Sequence, residues 1–574
     1  MTQRLVEAFD ANFFSLFTAE VTLFIGLILL ILIPNLGKGT FRLPGTQARI
    51  PWFLGGQRYE WNANPRLPSL IALLIMVSAT IQMGMRVFSE NDAILVHATG
   101  DASVRILSAN PFSNLMEFFF FLALTLVILA SINRLDVNDP KDKSISTLYN
   151  NRRQADFYIL ILTCALGMSV VALAENLFVL FVGLELASFS TYILVAFNKE
   201  SKAGSESGMK YFIVGSAASG VGLYGLSLLY LWSGSLQIDI LAEAWAGIGQ
   251  ETLPFVALGL VLVGFGFKIS AAPFHFAAPD AYAGAPSTIS GLLATASKAM
   301  GMIGIIKILL VITQPEALEG SAIWLWTIAL LSVITMFWGN LAALGSDNPK
   351  RMLAYSSVAH AGYMLAAITA AGLWNISGDA SAQDDAIQAS RTVLAAILFH
   401  LGVLIAFKLG AFLVLSVLEM ESDVKSSDAI AGLAKRSPML AVAMFIFMLS
   451  LAGVPPLSGF LSKLLVLLGI IKVAIANSAS SSFLGMDVHW VWGLALAMGV
   501  NSAISVYYYL RVGVVMFFHE PVESRQGPLP RGSMIRISIA ICVILTVGLG
   551  VAGEFLLDVC RSAADYLMPM MRGL

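Results

Sequence analysis

Residues 438–476 read PMLAVAMFIFMLSLAGVPPLSGFLSKLLVLLGIIKVAIA, an apolar run interrupted near its middle by Gly453-Val454-Pro455-Pro456-Leu457-Ser458-Gly459. A helix needs roughly 20 apolar residues to cross the hydrocarbon core of a bilayer. This run is too long for one straight crossing. Its two prolines remove backbone donors and clash with the preceding turn. The carbonyls so freed need protein or water partners at membrane depth. Lys463 stands a few residues beyond the break. The stretch reads as a membrane helix broken beside a charge.

The rest of the chain is equally apolar. Further runs cover about 13–33, 67–86, 113–133, 155–174, 176–197, 209–232 and 254–271. They continue at about 286–311, 321–345, 352–373, 392–418, 488–518 and 534–556. The pattern predicts an all-α membrane protein of about 14 transmembrane helices, of which 438–476 is the twelfth. The runs are long and do not alternate, which excludes a transmembrane β-barrel. Only 12% of the 574 residues are charged and 57% are hydrophobic, against a soluble norm of about 25% charged. Mean hydropathy is +0.80. These values exclude a soluble globular enzyme and a disordered chain. A net charge of −2 leaves no basic surface for nucleic acid.

Cys164, Cys542 and Cys560 are far apart, without a CxxC, and the six histidines are scattered. No iron–sulfur, zinc, haem or disulfide framework is expected from such spacing. Met1 to Asn12 is polar and acidic, unlike a cleaved signal peptide.

Lysine and arginine in the loops set the orientation. Of 34 such residues, 19 fall in loops after odd-numbered helices, among them Lys38, Arg134, Arg153, Lys350 and Lys435. Five, including Arg105 and Arg391, fall in even-side loops or the two ends. The odd side is therefore expected to be cytoplasmic, with both termini on the outer side. The remaining ten lie in or at the edges of apolar segments.

The seventh run ends in Ala271-Ala272-Pro273-Phe274-His275, a second break. Breaks at matching places in two halves suggest inverted repeats, as in transporters. The expected division is an N-terminal unit 1–150, a first five-helix repeat 151–315, a second 316–520, and a C-terminal part 521–574.

An ionisable group at the bilayer centre costs about 2.5–3.5 kcal/mol on insertion scales, and persists mainly where it meets water or a partner. Glu185 lies mid-run in Phe181-Val182-Gly183-Leu184-Glu185-Leu186-Ala187. Lys268 is deep in the seventh run, Lys298 near the middle of the eighth, and Lys408 in the body of the eleventh. With Lys463 they make four buried lysines and one buried glutamate. Packing does not explain such a set, whereas a proton relay requires it. Lys210 opens the sixth helix and is expected to pair with Glu185 unless Lys268 does. His275, seven residues after Lys268, falls on the same face if the helix continues. Lys307 and Lys472 follow Lys298 and Lys463 by nine residues, about 180° around a helix. They are expected to point away and snorkel to the outer surface. His360, His400, Glu20 and Glu175 read as satisfied polar residues.

Several stretches resemble the antiporter-like subunits of respiratory complex I, NADH:quinone oxidoreductase. They are Glu185-Leu186-Ala187-Ser188-Phe189-Ser190-Thr191-Tyr192, Met209-Lys210-Tyr211-Phe212, and Phe267-Lys268-Ile269-Ser270-Ala271-Ala272-Pro273-Phe274-His275. Pro279-Asp280-Ala281-Tyr282-Ala283-Gly284-Ala285-Pro286, Thr295-Ala296-Ser297-Lys298 and Asn348-Pro349-Lys350-Arg351 through Tyr363 continue the likeness to Lys463. The resemblance covers roughly 150–475 and looks closest to the N-type subunit. The Pro-Pro-Leu-Ser-Gly run is also similar to the D subunit of Mrp-type sodium/proton antiporters.

The resemblance implies proton translocation through Glu185, Lys210, Lys268, His275, Lys298 and Lys463. Lys408 falls where an N-type subunit is expected to carry a neutral residue, and reads either as an extra relay member or as a partner for a neighbouring subunit. It also implies a bacterial inner-membrane complex in which this chain carries no cofactor. NADH, FMN, iron–sulfur clusters and quinone would be handled by partner subunits. The implied neighbours are the sister subunit M, the small subunits A, J and K, and lipids. An Mrp-type cation/proton antiporter, or a non-pumping scaffold in a hydrogenase-like complex, are the other expectations. The loops 34–66 and 374–391 look longer than the family pattern.

Overall fold

The computed structural model describes residues 17–32, 67–88, 104–132, 145–247, 251–313, 323–374, 380–477, 489–525 and 532–571. It also describes the short segments 40–42, 49–51 and 94–98 and the single positions 527 and 529. Helices dominate, as the hydropathy predicts. In chain order the first are α1 (Thr18–Leu32), α2 (Leu67–Val87), α3 (Pro111–Ser131), α4 (Ile145–Leu173), α5 (Leu177–Val195) and α6 (Lys202–Ser233). A short amphipathic α7 (Ile238–Ala246) precedes α8 (Thr252–Ile269) and α9 (Ala277–Gly284). Then come α10 (Ser287–Ile312), α11 (Ile323–Leu344), α12 (Pro349–Ala371) and α13 (Gln383–Glu419). Last are α14 (Pro438–Ala452), α15 (Ser458–Asn477), α16 (Val491–Phe518), α17 (Ser533–Val551) and α18 (Glu554–Met571).

Among the described residues, twelve helices are long and apolar enough to span a membrane. The other two expected spans are present in different form. The first, α1, is described over 15 residues. The tenth, α12, is 23 residues long but carries Lys350, Arg351 and His360. Lys350 and His360 face the protein interior and Arg351 opens onto a cavity at the helix start, so hydropathy alone understates it.

Three features were not expected. β3 (Ile94–Ala98) pairs antiparallel with β4 (Val104–Ala109) ahead of α3, and β1 (Thr40–Arg42) pairs with β2 (Arg49–Pro51). Short strands carry too little periodicity to stand out beside 20-residue runs. The expected loop 374–391 is largely helix, because α13's helical turns begin at Ala380. The loop 34–66 lies mostly outside the described residues. The C-terminal α18 buries Leu556, Leu557, Cys560, Ala563, Ala564, Leu567 and Met568 along one side, the spacing of an amphipathic helix packed on a bundle. An Arg391–Asp565 ion pair ties it to α13.

α10 and α13 are buried over nearly their whole length and form the centre of the protein. The other helices surround them and show apolar residues outward, such as Leu231, Leu496 and Tyr507. α11 and α12 pack closely because glycines meet backbone. A Cβ on Gly339 would lie 2.5 Å from the Ala359 nitrogen, and one on Gly362 would lie 2.6 Å from the Met336 nitrogen. Neither neighbour can move aside. Gly339→Val should destabilise the subunit by about 1–3 kcal/mol, the usual cost of overpacking. Thermal unfolding of the purified complex in detergent reads this as a lower Tm.

Candidate functional site

The site begins with the two breaks. α8 stops at Ile269, and Ser270 takes a left-handed conformation with φ of 58°. A helix carbonyl normally accepts from the N–H four residues on. For Ile269 that residue is Pro273, which has none. The Ala272 N–H, which would serve Lys268, donates instead to Thr335 Oγ1 at 3.0 Å. The second break obeys the same logic. α14 stops at Ala452, and Gly453 has a φ of 88°, a conformation that favours glycine. The carbonyls of Leu451 and Ala452 would be served by Pro455 and Pro456, so both lack their helical donor. Lys463 reaches back and donates to the Leu451 oxygen at 2.7 Å. The break thus makes the acceptor that holds the amine.

Three π-helical turns accompany the lysines: Leu293–Ser297 directly before Lys298, Lys307–Ile312, and Ile405–Leu409 containing Lys408. Such turns leave the regular ladder and cluster at functional sites. Lys298 is buried and donates to the Ser357 carbonyl of α12 at 2.5 Å. Lys408 is fully buried and its Nζ makes no hydrogen bond among the described residues. It interacts electrostatically with Lys298 and Lys463.

His360 of α12 and His400 of α13 stack on one another and both interact with Lys408 and Lys463. His360 Nδ1 and His400 Nε2 are 3.0 Å apart, and His400 Nδ1 is 3.0 Å from Ser462 Oγ. His360 interacts with Lys298, Lys408 and Lys463. Taken singly, these histidines look like ordinary polar residues in apolar runs. Only the packing of α12 on α13 joins them. Their one sequence signal is that each lies mid-run on a helix neighbouring a buried lysine.

At the other end, Lys268 donates to the Tyr192 hydroxyl at 3.1 Å and lies 4.7 Å from that ring's centroid. It interacts electrostatically with Glu185. Glu185, read from the sequence as buried, is only partly so, because it borders the outward face of α5 with Val182, Leu186 and Phe189. It accepts from Ser219 at 2.6 Å and is not in an ion pair among the described residues. Lys210 is not its partner. It pairs with Glu206 at 2.8 Å and Asp280 at 3.0 Å, with its side chain about half exposed. Glu206 is one turn away on the same helix face, and solvent makes that pairing cheaper than burial. His275 is buried against Trp338, follows the break rather than continuing α8, and interacts with Lys298.

Lys210 and Asp280 line a cavity of about 450 Å³ on the lysine-rich face, together with Glu206, Lys350, Arg351 and Glu419. Its floor is a buried ion pair, Lys350–Glu419 at 2.6 Å. Lys350 also donates to the Ala285 carbonyl at 2.5 Å, and Glu419 accepts from the Ser287 N–H at 3.0 Å. Lys350 reads in sequence as a loop charge. The Asn348 cap and Pro349 place it in the first turn of a buried helix.

Lys307 departs from its expected position. It is buried and donates to the carbonyls of Ala172 and Ala174, at 3.0 and 2.5 Å, where α4 ends. α10 is enclosed by protein throughout, so no outer interface is within its reach. A cation at a helix C-terminus satisfies carbonyls that lack donors. Lys472 is exposed, as expected. Among the N-terminal helices, Ser169 of α4 bonds both Glu20 of α1 and Glu117 of α3. Glu117 did not stand out in the sequence because it opens an otherwise apolar run.

A membrane bundle with two broken helices and a buried string of lysines and histidines defines a class of ion-translocating subunit. The family model described as NADH:quinone oxidoreductase/Mrp antiporter, transmembrane, matches residues 174–381 and 386–486. The chain belongs to this family. Within it the chain is 36% identical to the NADH-quinone oxidoreductase subunit N of Heliobacterium modesticaldum over 462 residues, 80% of this chain and 86% of the relative. It is likewise 36% identical to the subunit N of Anoxybacillus flavithermus, over 72% of this chain and 76% of that one. A chain of respiratory complex I from Thermus thermophilus superposes with a TM-score of 0.67 at 27% identity, covering 94% of this chain and 98% of the other. A chain of the Mrp complex from Dietzia sp. shares the fold, with a TM-score of 0.73 at 20% identity over 96% and 97% of the two.

Proposed function

We propose that this chain is a proton-translocating, N-type membrane-arm subunit of an NADH:quinone oxidoreductase. The observation that carries this reading is the buried series Lys268, Lys298, His360–His400, Lys408 and Lys463, which starts and ends at a broken helix. Protons enter from the cavity at Lys210 and Asp280. The Glu185–Lys268 couple loads them, and His275 and Lys298 pass them to the histidine pair. Lys408 and Lys463 deliver them to the opposite face.

Like charges in a water-poor interior act on one another strongly. A proton gained at one lysine therefore favours loss at its neighbour. The lysine-rich face is cytoplasmic, both termini face outward, and residues 151–315 and 316–520 act as paired repeats. NADH, FMN, iron–sulfur clusters and quinone belong to partner subunits. The neighbours are the sister subunit M, the small subunits A, J and K, and the lipid of a bacterial inner membrane.

Glu185→Gln tests the loading step. It keeps the shape and the Ser219 contact but removes the charge that balances Lys268. Proton pumping in inverted membrane vesicles should fall about tenfold, a loss of ~1.4 kcal/mol, while the complex still assembles. Undiminished pumping would overturn the assignment.

A further inference from the structure

A second polar column runs from the relay toward the lysine-rich face. Tyr363 of α12 is buried. Its ring centroid lies 5.9 Å from Lys463 Nζ and 5.5 Å from that of His360. Its hydroxyl accepts from Asn340 Nδ2 at 3.0 Å. Asn340, fully buried on α11, also donates to Asn501 Oδ1 at 2.9 Å and accepts from the Tyr508 hydroxyl at 2.9 Å. Tyr508 in turn lines a cavity of about 20 Å³ with Ser346, Asp347 and Arg511, enough for a water. The Asp347 and Arg511 side chains are 58% and 45% exposed. Polar residues thus extend from the surface to the Tyr363 ring beside Lys463.

We propose that Asn340 is a proton barrier in this column, an amide that stops the second half of the relay from short-circuiting to the lysine-rich face. The chemistry follows from its contacts. A hydroxyl passes a proton by taking one on an oxygen lone pair, releasing its own, and rotating back. The Asn340 amide faces Tyr508 with its oxygen and Tyr363 with its nitrogen. To pass a proton it would gain one on Oδ1 and lose one from Nδ2, leaving a high-energy imidic acid. Both amide hydrogens and the oxygen are engaged, so the amide is also held against turning. The column holds α11, α12 and α16 together without conducting.

The inference rests on the proposed roles of His360 and Lys463, and the test separates the two. Membrane vesicles holding the whole complex are given a pH gradient with turnover off, and its decay is followed. Asn340→Asp puts a group of the same shape, able to take and release a proton, at the block. Decay should become several-fold faster than in the wild type. Tyr508→Phe in the same chain should restore tightness by removing the hydroxyl on the cavity side. Asn340→Ser, whose hydroxyl relays and leaves room for water, should leak as well. Asn340→Leu should hold the gradient.

Wild-type tightness in assembled Asn340→Asp and Asn340→Ser complexes overturns the barrier, provided that Lys463→Ala abolishes pumping. Pumping that survives Lys463→Ala overturns the relay assignment instead. Loss of pumping in Asn340→Leu without a leak in Asn340→Asp would make the column a conduit and overturn the barrier too.

Discussion

Lys298→Ala should lower proton-coupled quinone reductase turnover by at least about tenfold, or ~1.4 kcal/mol in barrier terms. Lys298 sits between the two halves of the buried series, on the central α10, with its amine on the Ser357 carbonyl. Truncation removes the proton carrier at the one place where His275, His360 and Lys408 all interact with the same charge. Vesicle acidification set against NADH oxidation reads the loss, and native gels report assembly.

Lys307→Ala is the contrasting variant. It strips donors from the Ala172 and Ala174 carbonyls, so it should lower the amount of assembled complex while each remaining complex still pumps. Buried carbonyls left without donors cost about 1–3 kcal/mol each. Normal pumping in Lys298→Ala, or a specific pumping defect in Lys307→Ala, would reverse the two assignments.

The double substitution Pro455→Ala with Pro456→Ala should abolish most pumping without preventing insertion. Each proline costs a helix interior about 3 kcal/mol relative to alanine, so alanines favour joining α14 to α15. They also supply N–H donors to the Leu451 and Ala452 carbonyls. Lys463 then loses the acceptor that it holds at 2.7 Å. With its amine unheld, its proton exchange with the surface should slow, and pumping should drop about tenfold or more. Hydrogen exchange at 453–459 should slow in parallel as the helix closes. Wild-type pumping in the double variant would show that the break is a kink without a role.

Most of the fold is legible in the sequence because lipid permits few backbone solutions. Long apolar runs must be helices, and the two breaks follow from Pro273 and from Pro455 with Pro456. Lys268, Lys298, Lys408 and Lys463 are equally legible, since a charge in an apolar run is costly wherever that run packs. The hairpin 94–109 and the amphipathic α18 are not, because their signal is weak or lies outside the spans.

What the sequence by itself determined is the solvent, the helices, the breaks and the burial of Lys268, Lys298, Lys408 and Lys463. Each follows from a local rule of hydropathy or of proline chemistry. Which groups touch was decided only by the tertiary structure. Lys210 turned to Glu206 and Asp280, Lys307 went to the end of α4, and Lys350 closed on Glu419. His360 met His400, and Asn340 linked Tyr363 to Tyr508. A buried polar group must find a partner, but the partner's identity depends on which helix packs alongside and at what depth. That choice is made by glycine contacts such as Gly339 on Ala359 and by π turns that rotate a side chain out of its helical register, neither of which one-dimensional spacing reveals.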